Sequence, residues 1–143
     1  MKLNEILSKK VDYEVTKETS ERFDTMAKIG DRTISFTSGK VDHGDSLETW
    51  DVEFAEIKNG KKTYAASGSG NELEVFSMIK DSILELVSRY HPDKITFTAQ
   101  KEGEGDKRAN AYERLVKRFN IPGYTYNRDK EYSDFDQFEI VKK

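Results

Sequence analysis

Hydrophobic residues change their spacing repeatedly along this 143-residue chain, and each change marks a different kind of element. Leu3, Ile6 and Leu7 recur at helical spacing and predict a short helix within residues 1–10. From Tyr13 to Val41 the texture becomes alternation. Phe23, Thr25 and Ala27 alternate with polar neighbours, Gly30-Asp31 supplies a turn, and Thr33-Ile34-Ser35-Phe36 resumes as a strand. A polar loop, Asp42-His43-Gly44-Asp45-Ser46, precedes Trp50, Val52, Phe54 and Ile57, which are expected mainly on one face of a strand. Asn59-Gly60 then gives a strong short hairpin signal, with Thr63-Tyr64-Ala65-Ala66 returning as the partner strand.

The period switches after Ser67-Gly68-Ser69-Gly70. Leu73, Phe76, Ile79, Ile83, Leu86 and Tyr90 recur every three to four residues over five turns. Asn71 with Glu74 forms an N-cap and N3 pair, and Pro92 stops the helix. Lys94 to Ala99 reads as a strand and Gly103-Glu104-Gly105 as a loop. Asp106 caps a second helix, with Ala111, Tyr112, Leu115, Val116 and Phe119 inward, ended by Pro122-Gly123. Two aromatic-rich strands follow, near Tyr124-Thr125-Tyr126 and from Phe135 to Val141. The expected order is helix, four antiparallel strands, helix, strand, helix, strand, strand. That order predicts a single α+β domain over 1–143, a mixed and mostly antiparallel sheet with two main helices packed on it. Leu73, Phe76, Ile79, Ile83, Ile95, Phe97, Leu115 and Phe119 are its expected core.

Composition narrows the chemistry. Charged residues reach 36%, against roughly 25% in an average domain, but 24 basic and 27 acidic side chains leave a net charge of −3. That balance argues against general nucleic-acid binding. With no cysteine, disulfides, thiolate metal sites and a cysteine nucleophile are excluded. Two histidines, His43 and His91, are too few for a multi-histidine metal site, so no metal is expected. The loop around His43 lacks the calcium-loop spacing. His91 is expected as a C-terminal helix residue complementing the dipole. No apolar run reaches the ~18–20 residues of a membrane helix, and the first residues are too mixed for a secretory signal. No membrane contact is expected.

The passage strand, Gly68-x-Gly70-x-x-Leu73, long helix, strand, helix with an internal Tyr112, strand, strand resembles the core of the GNAT acetyltransferase superfamily, over residues 48–141. The helix from Arg108 to Phe119 also resembles small proteins of tailed bacteriophages, which implies the cytoplasm of a host cell, or a virion, as the location. The first resemblance implies a GNAT-like fold in which the backbone N–H groups of Gly68, Ser69, Gly70 and Asn71 cradle a coenzyme A pyrophosphate. Orphan N–H groups and the helix dipole attract anions there. It also implies Tyr112 as general acid for the departing thiolate, and a strand carboxylate, Glu53 or its neighbour Glu56, as general base. Acetyl-CoA is the only cofactor implied.

Each of these residues also has a purely structural reading. Ser67-Gly68-Ser69-Gly70 suits a flexible strand-to-helix turn, Tyr112 lies on an apolar stripe, and exposed strand carboxylates serve solvation. The chain also departs from the family pattern. Ala65 occupies the slot of a Gln or Arg, and Glu72 and Glu74 place negative charge in the helix's first turn, where it repels a pyrophosphate. The pair of helices usual between the family's first two strands has no counterpart. These departures favour a non-catalytic, phage-type accessory or virion-associated protein with a protein partner over an acyl-CoA-dependent N-acetyltransferase. A third reading is a nucleic-acid module: Lys107, Arg108, Arg114, Lys117 and Arg118 make the second helix basic, with Tyr124 and Tyr126 nearby to stack on bases.

Overall fold

The computed structural model describes residues 11–42, 44, 46–58, 60–63, 72–100, 117, 121–129 and 135–143. The expected N-terminal helix and second main helix lie outside them, apart from Lys117. The described elements are strands β1 (Glu14–Glu18), β2 (Arg22–Ile29), β3 (Arg32–Val41), β4 (Thr49–Lys58) and β5 (Lys61–Thr63), helix α1 (Glu72–Tyr90), and strands β6 (Lys94–Gln100), β7 (Tyr124–Asp129) and β8 (Phe135–Lys142). The class is α+β with a mixed sheet. Five strands precede the helix rather than four, because the first alternating stretch folds back on itself at Ser20-Glu21.

The chain forms two compact units, Met1–Gly39 with Glu53–Tyr90, and Lys40–Val52 with His91–Lys143. β4 runs through both. In the first unit β1, β2, β3 and β4 are hydrogen-bonded neighbours in that order, and β5 pairs with β4. β2 and β3 pair without a break from Arg22↔Gly39 to Ile29↔Arg32. Their two-residue connection has Gly30 at φ +62°, the first central position of a type II′ hairpin, where only glycine is unstrained. Gly60, the second residue between Lys58 and Lys61, also takes a positive φ, +77°, which glycine adopts without strain.

α1 lies on this hairpin sheet through its apolar stripe. Met78, Ile79, Ile83 and Leu86 are buried, as are Phe23, Ala27, Ile29, Ile34 and Phe36 of the strands. Each large side chain so buried contributes about 1.5–3 kcal/mol relative to exposure. Two hydroxyls enter the same interior and satisfy each other: Thr25 and Ser82 are 2.8 Å apart. The helix ends at Tyr90, so His91 is not its last residue as the sequence suggested. His91 sits one step beyond, exposed, at φ +48°. The reversal to a left-handed conformation, followed by Pro92, is how the helix is terminated.

In the second unit the first residues of β4 run parallel to β6, in register Thr49↔Lys94, Trp50↔Ile95 and Asp51↔Thr96. A parallel pair requires a long crossover, and the segment containing α1 supplies it. β8 then pairs antiparallel with β6, and β7 with β8. Trp50, Val52, Ile95, Phe97, Ile121, Phe138 and Ile140 are buried. Phe97 stacks on Phe138 with centroids 4.9 Å apart and rings 3° from parallel. Of the expected core, Ile79, Ile83, Ile95 and Phe97 are thus buried and Phe76 half-buried, while Leu115 and Phe119 lie outside the described residues.

Candidate functional site

β4 carries the carboxylates proposed for base chemistry. Its first half alternates, with Trp50 and Val52 buried and Asp51 and Glu53 exposed, as a half-covered strand requires. Glu53 is exposed, and its backbone carbonyl accepts a hydrogen bond from Thr37 Oγ1 at 3.3 Å. Further along, Phe54 and Ile57 are half-buried while Ala55 and Glu56 between them are both buried. Glu56 is 8% exposed, and its burial is made tolerable by Arg32, whose Nη2 lies 3.2 Å from Glu56 Oε2. The carboxylate read as surface solvation is therefore half of a buried ion pair joining β3 to β4.

Of the other candidates, Lys117 is exposed. Gly68, Ser69, Gly70, Asn71, Lys107, Arg108, Tyr112, Arg114 and Arg118 lie outside the described residues, as does His43. The tyrosines expected to stack on bases have partners in the second unit. Tyr124 donates its hydroxyl to the Pro92 carbonyl at 2.5 Å. Burial, then the negative charges of Asp93 and Glu48, push its ionisation upward. Tyr126 stacks on Phe138 with centroids 6.3 Å apart, and Arg128 lies 5.5 Å from the same ring centroid.

A second polar cluster was not anticipated from the sequence. Tyr13, just ahead of β1, donates to Glu85 Oε1 of α1 at 2.5 Å. Glu85 also pairs with Arg89 at 2.8 Å, and Arg89 reaches Glu18 at the far end of β1 while lying over the Phe23 ring. Tyr90 donates to the Thr19 carbonyl at 2.7 Å. Only the i,i+4 pair Glu85–Arg89 had a legible signal, since the remaining partners are separated by about seventy positions. Near Tyr13 an open hollow of about 560 Å³ is lined by Asp12, Glu14, Met26, Lys28 and Thr33 among others.

In the second unit, Glu48 Oε1 accepts from Trp50 Nε1 at 3.2 Å, Asp93 accepts from the Glu48 amide at 2.8 Å, and Lys94 pairs with Glu139 at 2.6 Å. These contacts fix strand ends and register. Among the described residues no three His, Cys, Asp or Glu side chains come together to hold a metal ion, and no helix is long and apolar enough to cross a membrane.

No family model matches the chain, and no curated protein matches it. Among solved structures, a single-site mutant of the spermidine N-acetyltransferase SpeG from Vibrio cholerae superposes with a TM-score of 0.48 at 9% identity, covering 99% of this chain and 92% of that one.

Proposed function

We propose that this chain is a divergent GNAT-like domain that works as a phage-type accessory or virion-associated protein through a protein partner, without acetyl transfer. The order β4, β5, α1, β6, β7, β8 supports the reading through its strand, long helix and following strands; the second helix of the resemblance lies outside the described residues. The observation that carries the non-catalytic reading is the connection between the first two strands. Only Thr19, Ser20 and Glu21 join β1 to β2, where the family usually has two helices that help shape the acceptor site. The charge at the start of α1 points the same way. Its first residue is Glu72, and with Glu74 the sequence puts two acidic residues in the first turn, where a pyrophosphate would need positive potential.

An acyl-CoA-dependent N-acetyltransferase is the second reading, supported by the Gly68-x-Gly70-x-x-Leu73 spacing. Isothermal titration with acetyl-CoA separates the two. We expect weak binding or none. A dissociation constant in the low micromolar range for the unaltered chain would defeat the accessory reading and restore the enzyme.

A further inference from the structure

β1 is built unlike its neighbours. All five of its residues are exposed, and its one apolar side chain, Val15, is 39% exposed. Its ladder with β2 is broken by a register shift between Val15 and Lys17. The β2–β3 ladder, by contrast, is continuous and has Phe23, Ala27, Ile29, Ile34 and Phe36 buried along it. A strand that buries no side chain gains only ladder hydrogen bonds, and the entropy of ordering its backbone offsets these. What holds β1 down must lie elsewhere, and the side-chain contacts show where.

At its leading end, Tyr13 donates to Glu85 of α1 at 2.5 Å. At its trailing end the chain is gripped more firmly. Thr19 N donates to the Arg22 carbonyl at 2.9 Å, closing the turn at Ser20-Glu21. Tyr90 donates to the Thr19 carbonyl at 2.7 Å, and Arg89 pairs with Glu18. Among the described residues, one end is therefore held by the Tyr13–Glu85 hydrogen bond and the other by a clamped turn.

We propose that β1 is a latch that opens and closes on β2 as a unit, with the Tyr13–Glu85 hydrogen bond as its clasp and the turn at Ser20-Glu21 as its hinge. Opening leaves the helix and the β2–β3 hairpin intact and exposes the outer backbone edge of β2, whose N–H and C=O groups are then unpaired. Local openings of this kind lie at the low end of a protein's stability range.

Native-state hydrogen exchange tests the latch on the full chain. In the unaltered protein, β1 amides should exchange on the order of 100-fold faster than β2–β3 ladder amides, with little dependence on denaturant, because little surface is exposed in a local opening. Tyr13→Phe should speed β1 exchange about tenfold, as expected for losing one hydrogen bond to a charged group. Ile83→Val supplies the discriminating control. It removes one methylene from the interior that stays packed when β1 opens, so it should speed the β2–β3 amides several-fold and leave β1 exchange unchanged. If β1 responds to Ile83→Val as the ladder does, β1 opens only with the whole unit and the latch is wrong. If β1 exchange ignores Tyr13→Phe, the clasp is wrong.

Discussion

Two residues with modest sequence signals do much to define the first unit. Arg32 and Glu56 keep only 11% and 9% of their side chains exposed. Glu56→Leu removes the buried carboxylate that Arg32 bonds and should cost ~3 kcal/mol in urea unfolding. Arg32→Met with Glu56→Leu should recover most of that loss, because a buried ion pair is often replaceable by packed hydrophobic groups. Equal destabilisation in the single and double variants would show that the pair acts through other contacts. Tyr13 makes a pH-dependent contribution. Burial, then the hydrogen bond to Glu85, then the charges of Glu85 and Asp81 raise its ionisation, against the opposing charge of Arg89. Because the folded value lies above the unfolded value of about 10, the stabilisation is complete below that pH and is lost as pH rises toward the folded value. Tyr13→Phe should therefore cost about 1 kcal/mol at neutral pH and should lose less stability than the unaltered chain between pH 10 and 12. Parallel alkaline denaturation of the two proteins would contradict this.

At the scale of elements, the start of α1 is where helix stability and anion binding compete. Carboxylates in a helix's first turn interact favourably with its dipole by about 0.3–1 kcal/mol each, and an anion bound there meets a repulsion of similar size. Glu72→Gln with Glu74→Gln should accordingly lower the melting temperature slightly and tighten any acetyl-CoA binding several-fold. Gly70→Val should abolish such binding, since a β-branched residue blocks close phosphate approach and resists positive φ. Calorimetry showing no gain in the double glutamine variant would remove the loop as a phosphate site. The elements themselves were largely legible. Five turns of apolar repeats announced α1 within a residue of its observed span, and Gly30-Asp31 and Asn59-Gly60 marked their hairpins, because turn chemistry and periodicity are local. The unread features are those fixed by partners distant in sequence. Glu56 is a polar letter on a strand until Arg32 is placed beside it, and Tyr13 is an ordinary aromatic until α1 brings Glu85 within reach. The reversal at His91 was hidden because αL geometry at a helix end usually advertises itself with glycine.

Taken as a whole molecule, the chain is weakly acidic, with a net charge of −3 and an isoelectric point near 5.5. Binding to a phosphate backbone draws most of its strength from neutralised charge, so a protein of this balance needs a concentrated basic surface to hold nucleic acid at physiological salt. The segment 106–119 is the one candidate in the sequence, and Asp106 and Glu113 dilute its Lys107, Arg108, Arg114, Lys117 and Arg118. The aromatic contribution is also limited: Tyr124 is tied to Pro92 and Tyr126 to the Phe138 stack, whereas base-binding platforms present free ring faces. We therefore expect no gel shift with duplex DNA or single-stranded RNA at physiological ionic strength. If that face is only solvated, Arg114→Glu with Arg118→Glu should change unfolding free energy by no more than about 0.5 kcal/mol, the usual range for surface substitutions. The opposite result is equally specific. A shift that weakens steeply with added salt and disappears in the double variant would make the basic helix a nucleic-acid surface, and would replace the protein partner proposed above with a polyanion.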